Sequence, residues 1–237
     1  MTIDQHITVK PERKDVTVQA ASVASLLDYP LESDDHMDQV IHNMIELGYK
    51  IITPAGGYII KKIDHLDIKS GVLTINDVKF NIGRIVAAQL KKAEYAAFFY
   101  ATISEQVEKE SKEHISKGDL MEGYTLDLIG SEAAESVATI VHDTILSDVN
   151  GSGYKITNRF SPGYCDWDVK EQFMLFNLFE NDQLPIHLNE SALMKPIKSV
   201  SGLVGIGIDV SFKPYSCAKC SDDKCIYRNK KINQTKI

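Results

Sequence analysis

Apolar residues recur at helical spacing in some stretches of the chain and at strand spacing in others, and the order of the two sets the expected architecture. Met37, Val40, Ile41, Met44, Ile45 and Leu47 mark one face of a helix over Asp35–Leu47, with Gly48 as its stop. Short strands are expected before it, at Ile7–Val9 and Val16–Gln19. A β region follows. Tyr49–Thr53, Gly57–Ile63, Val72–Ile75 and Val78–Phe80 are β-branched or aromatic runs, divided by Pro54-Ala-Gly-Gly57 and Ser70-Gly71. Asn76-Asp77 suits a tight hairpin between the last two.

Ile82–Lys92 patterns as a short amphipathic helix. Glu94–Thr102 contains Tyr95-Ala-Ala-Phe-Phe-Tyr-Ala-Thr102, apolar at nearly every position, which predicts a strand buried on both faces. Thr102-x-x-Glu105 reads as a capping box opening a helix that Gly118 ends. A long helix is expected over Asp119–Val149. Leu120, Tyr124 and Leu128 form its apolar stripe, continued by Ala133, Val137, Ile140, Val141 and Ile145. Trp167–Glu180 reads as a helix, and Ile186–Leu188 and Val200–Val210 as strands. The fold class expected is α+β, a mainly antiparallel sheet with helices packed on one side.

The 237 residues, 43% of them apolar, suit one large domain or one domain with a small appendage. A net charge of -7 argues against a generic nucleic-acid binder, yet leaves room for a small anionic ligand held by one or two local cations. No run of 18 apolar residues exists to cross a membrane, and the polar N-terminus lacks the apolar core of a secretory signal. A cytoplasmic protein is the simplest reading. In that compartment the four cysteines are expected as thiols or metal ligands, not disulfides.

Candidate chemistry concentrates in Arg159-Phe-Ser-Pro-Gly-Tyr164 and in the segment Leu188–Gly202. Arg159 offers a rigid, permanently charged fork for a carboxylate. Pro162 and Gly163 place a turn behind it, and Tyr164 adds a flat face and a hydroxyl. The same pattern also describes an ordinary strand-turn-helix joint with a surface Arg. Gly205-Ile-Gly207 lacks the third glycine of a dinucleotide fingerprint. Cys217-x-x-Cys220-x4-Cys225, with Cys165 as a fourth thiol, is open to three readings: a zinc or iron–sulfur site, a redox or regulatory thiol site, or an inert tail.

Arg159-x-x-Pro-Gly-Tyr164, followed by Leu188-Asn-Glu-Ser191 and Lys198-Ser-Val-Ser-Gly202, resembles the activation (S-adenosylmethionine-binding) domain of cobalamin-dependent methionine synthase, here as a free-standing protein. The clear likeness spans roughly residues 118–215, and the family's acidic N-terminal ligand contact cannot be placed. The resemblance implies a twisted, helmet-shaped sheet, with 1–48 as an N-terminal extension or cap, 49–215 as the core and 216–237 as a Cys-containing polar tail. It implies that Arg159 meets the ligand's carboxylate or polar end. Pro162, Gly163 and Tyr164 would bring backbone near the adenine or ribose. Glu135, counted back from His142, would be a second ligand contact. Ser199 would shape the pocket, and Tyr215 would match a family tyrosine near the ligand. Cys217, Cys220 and Cys225, with Cys165, depart from the pattern of the domain as it occurs fused within methionine synthase.

The function so implied is reactivation, by reductive methylation, of the cob(II)alamin form of a partner methionine synthase in methionine biosynthesis. No catalytic dyad is needed. The chain lacks an Asp-x-His-x-x-Gly cobalamin signature, so the cobalamin would arrive on the partner. A flavodoxin or ferredoxin-type electron donor is also implied. Two other readings stay open: an S-adenosylmethionine-sensing regulatory module of a corrinoid methyltransferase, and a metal-carrying electron-transfer or scaffold protein.

Overall fold

In the computed structural model, which describes residues 1–29, 36–179 and 183–213, the chain opens with strand β1 (His6–Val9) and helices α1 (Ala20–Leu26) and α2 (His36–Ile51). Strands β2 (Ala55–Lys62), β3 (His65–Asp67), β4 (Val72–Ile75) and β5 (Val78–Asn81) follow, then α3 (Gly83–Gln89) and β6 (Tyr95–Thr102). A helical hairpin, α4 (Gln106–Lys117) and α5 (Leu120–Asn150), leads to β7 (Lys155–Phe160) and α6 (Gln172–Asn177). The short strands β8 (His187–Leu188) and β9 (Met194–Lys195) precede β10 (Ser199–Gly207).

Five strands form one antiparallel sheet in the order β1-β2-β6-β10-β7, with β7 at an edge. Its central strand β6 shows why the run at Tyr95–Thr102 is apolar throughout. Ala97, Phe99 and Ala101 enter one core, while Ala96, Phe98 and Tyr100 enter another. The first core lies under α1, α2, α4 and α5. The second is closed by the three-stranded sheet β3-β4-β5, by α3 and α6, and by Trp167. The long helices thus cover one face, and two short helices with a small sheet cover the other. Residues 1–29 and 36–48 contribute β1 to the main sheet and α1 and α2 to the helix-side core. Among the described residues no helix is long and apolar enough to cross a membrane.

Several local expectations are corrected. Gly48 does not stop α2. The helix continues through Ile51 and takes in most of the strand expected over Tyr49–Thr53. A Cβ on Gly48 would lie 3.0 Å from Ile129 Cγ2, so this glycine admits α5 against α2. Val16–Gln19 is not a strand, and α1 follows it without having been anticipated. The capping box does not form. The Thr102 hydroxyl is engaged elsewhere, 2.8 Å from Ser199 Oγ and 3.4 Å from the Lys198 carbonyl, and α4 is capped at Glu105 without a side-chain bond. The helix expected over Trp167–Glu180 is shorter: a 3-10 turn at Val169–Glu171 runs into α6. The turn at Asn76-Asp77 has positive φ at both residues, as a tight hairpin of this kind demands.

Candidate functional site

Arg159 lies near the end of edge strand β7 and points toward α5. Its Nη2 donates to Glu135 Oε2 at 3.2 Å, and its Nη1 donates to Thr139 Oγ1 at 3.2 Å. The Thr139 hydroxyl in turn donates to the Glu135 carbonyl. Two residues singled out separately, 24 positions apart in the chain, therefore meet. The pair is asymmetric: the Arg159 side chain is 18% exposed and that of Glu135 is 56% exposed. The guanidinium is held in a fixed place, while the carboxylate stands in water and can be exchanged for another.

Glu135 and Thr139 belong to a polar stripe on α5. Asp127, Ser131, Glu135, Thr139 and His142 recur at intervals of four or three and so share one face along ~22 Å of helix. Lys198 Nζ pairs with Asp127 at 2.8 Å and donates to Ser131 Oγ at 3.0 Å. Arg159 takes the next two positions. His142 Nε2 lies 3.0 Å from the Thr157 carbonyl. The expectation for α5 concerned only its apolar stripe; a recurrence of polar residues at four was present beside it and would have marked this second face.

Burial chiefly, with the Arg159 charge nearby, holds the His142 imidazole below its ordinary pKa. The sign follows. A histidine whose folded pKa lies below its unfolded value favours folding when neutral. Its contribution is present above about pH 6.5 and is lost as the pH falls through that value toward the folded pKa. His142→Gln is expected to flatten this part of the pH profile of stability. Urea midpoints across the acid range check it, and an unchanged slope would show that other groups set the profile.

The motif loop follows β7 directly. Pro162 is buried, and Gly163 has φ 92°, a conformation that favours glycine. The Gly163 N–H donates to the Trp167 carbonyl at 2.7 Å, and the Trp167 N–H donates to the Tyr164 carbonyl at 3.0 Å. Trp167 itself is buried in the second core, so the loop hangs from an anchored indole. Tyr164 is 63% exposed at the loop tip. Cys165 follows it, partly buried against the second core.

The second motif lies at the same end of the sheet as this loop. Leu188-Asn-Glu-Ser191 forms the turn between β8 and β9, where Asn189 Oδ1 accepts from the N–H groups of Ser191 and Leu193, both at 2.9 Å. Ser199 opens β10, with its Oγ 2.8 Å from the Thr102 hydroxyl and 2.7 Å from the Pro196 carbonyl, so its single proton serves one of the two. It pairs with Thr102, five residues along β10 from the Val204 that faces Arg159, roughly 17 Å at strand rise. Ser199 and Arg159 are therefore not adjacent. Ser201 donates to Gln172, which donates to the Ala192 carbonyl, tying β10 through α6 to the β8–β9 turn.

Gly202 has a separate reason. A Cβ there would stand 2.2 Å from the Phe160 carbonyl oxygen, a backbone atom with no freedom to yield. Gly202→Ala should force β7 away from β10 next to Arg159 and destabilise the fold by about 2 kcal/mol or more. Thermal unfolding checks this; a variant as stable as the parent would mean that the strands separate at no cost. Tyr215, Cys217, Cys220 and Cys225 lie outside the described residues. Among the described residues no group of three His, Cys, Asp or Glu side chains is placed to hold a metal ion.

Residues 74–232 match the family described as "Vitamin B12 dependent methionine synthase, activation domain". No curated protein matches the chain. Among solved structures, the MetH reactivation domain bound to AdoHcy is similar in fold, with a TM-score of 0.63 and 13% sequence identity over 88% of this chain and 80% of that one. The family match covers well over half of the 237 residues, and the chain belongs to the family of vitamin B12 dependent methionine synthase activation domains.

Proposed function

We propose that this protein binds S-adenosylmethionine at the α5–β7 edge and supports the reactivation of a cobalamin-dependent methionine synthase. The observation that carries the reading is the meeting of Arg159 and Glu135 on one face of the sheet. Family membership supports it, as does the likeness in fold to a reactivation domain bound to AdoHcy.

The donor set fits the ligand. Arg159 already holds a carboxylate oxygen, that of Glu135, at 3.2 Å. This oxygen stands in for the carboxylate of an amino acid ligand. An exposed glutamate beside it suits the ligand's ammonium or sulfonium. Tyr164, Gly163 and Pro162 line the turn next to Arg159 and would meet the nucleoside end. S-Adenosylmethionine supplies an electrophilic methyl group to the reduced corrinoid brought by the partner. This chain's residues bind and orient it, and no proton need move. The electron would come from a flavodoxin or ferredoxin-type donor. The Cys217–Cys225 segment, with Cys165, is the candidate place for a zinc ion or iron–sulfur cluster.

Titration calorimetry with S-adenosylmethionine, followed by methyl transfer to a cobalamin-loaded methionine synthase under reducing conditions, tests the proposal. Binding with transfer is the expected result. Binding without transfer would favour a ligand-sensing regulatory module, and absence of binding to the folded protein would overturn the reading.

A further inference from the structure

Arg159 reaches α5 only because β7 is irregular. Thr157 and Asn158 stand opposite a single residue of β10, Gly205: Ile156 pairs with Ile206, and Arg159 pairs with Val204. Directly paired residues of an antiparallel sheet project from the same face. Ile156, Ile206 and Val204 all belong to the helix-side core, so Arg159 projects to that side as well. In a regular strand the residue three beyond Ile156 would project to the opposite face, into the core that holds Leu203 and Phe98. One inserted residue keeps the guanidinium out of that core and turns it toward Glu135 and Thr139.

A bulge leaves backbone groups outside the ladder, and here side chains take them up. The Gly205 N–H donates to Thr157 Oγ1 at 2.9 Å. The Thr157 hydroxyl donates to the Asn158 carbonyl at 2.9 Å. His142 Nε2 meets the Thr157 carbonyl at 3.0 Å. The Asn158 side chain brackets Lys213, donating to its carbonyl at 2.5 Å and accepting from its N–H at 2.8 Å. Thr157 is the centre of this arrangement. Its buried hydroxyl joins the two strands at the point where the ladder between them is broken.

We propose that Thr157 is a positioning residue for ligand binding: with His142 it locks the β7 bulge that aims Arg159 across the sheet edge at α5. The proposal rests on the reading of Arg159 as the group that holds the ligand's carboxylate. Thr157 touches no ligand in it; its effect passes through Arg159.

The test uses Thr157→Val, which keeps the side chain's shape and removes the hydroxyl, and Thr157→Ser, which keeps the hydroxyl. Each is titrated with S-adenosylmethionine and with 5′-methylthioadenosine, which retains the nucleoside thioether but has no amino acid end. Thr157→Val should weaken S-adenosylmethionine about tenfold or more and 5′-methylthioadenosine less than about threefold, and Thr157→Ser should recover the parent affinities. Unchanged S-adenosylmethionine affinity in Thr157→Val, or an equal loss for both ligands, overturns the proposal. A crystal structure of Thr157→Val reads the aim without any ligand. The 3.2 Å contact of Arg159 with Glu135 should be lost, and a guanidinium still in place overturns the proposal. Failure of the parent protein to bind S-adenosylmethionine would instead count against the ligand reading alone, leaving this crystallographic outcome to decide. If Thr157→Val does not fold, His142→Leu removes the partner of the Thr157 carbonyl and is expected to give the same selective loss.

Discussion

Arg159→Ala is expected to weaken S-adenosylmethionine binding about 100-fold or more while leaving the fold intact. A guanidinium–carboxylate contact joins two full charges through directed hydrogen bonds, worth about 1.5–3 kcal/mol each when sheltered. Arg159 is mostly sheltered, at 18% exposure, so its contact with a ligand is little diluted by water. Its present contact with Glu135 is different in kind. Glu135 is 56% exposed, and ion pairs of that sort contribute about 0–1 kcal/mol to folding. Binding should therefore fall far more than stability. Arg159→Lys should lie between, because it restores the charge without the planar fork. Calorimetry on folded variants, checked by thermal unfolding, decides the matter. An alanine variant that binds within about threefold of the parent would remove Arg159 from the site altogether.

Trp167→Ala is expected to cost about 3–5 kcal/mol of stability, the usual range for deleting a buried aromatic side chain. Trp167 is 1% exposed and packs in the second core with residues such as Phe98, Leu175 and Phe179. Trp167→Phe should cost much less, on the order of 1 kcal/mol. The indole N–H has no hydrogen-bond partner among the described residues, so phenylalanine forfeits volume but no bond. The effect also reaches the site. The Trp167 backbone holds Gly163 and Tyr164 at 2.7 and 3.0 Å, so loosening the indole should free the motif loop. Urea denaturation of both variants gives the ranking. An alanine variant within about 1 kcal/mol of the parent would mean that the loop does not depend on this anchor.

The fold was most legible where a single periodicity was long. The strand at Tyr95–Thr102 and the helix over residues 119–149 stand close to their expected bounds, because many residues repeat one pattern. Gly48 shows the opposite case. Its local preference is to end a helix, but α5 packs against it and rewards continuation, so the strand expected at Tyr49–Thr53 is mostly helix. The Thr102 capping box failed for a related reason. A segment distant in sequence, Lys198 and the first residue of β10, Ser199, stands at the hydroxyl instead. Strand β7 carries two polar residues, Thr157 and Asn158, where a regular strand would alternate, and its bulge conceals the period.

The site divides along the same line. Residue types and their order by themselves determined a charged fork before a Pro-Gly turn, a long helix bearing a glutamate, and a strand with small residues at its rim. Those are properties of short segments, set by local chemistry. Only the tertiary structure decided that Arg159 faces Glu135 and Thr139, that Ser199 stands well apart from them, and that Gly202 is required by the Phe160 carbonyl. These depend on which strands pair, in what register and with which irregularity. Register is a sum over many weak contacts along two strands far apart in sequence, and a shift of one residue would turn Arg159 from the helices into the opposite core.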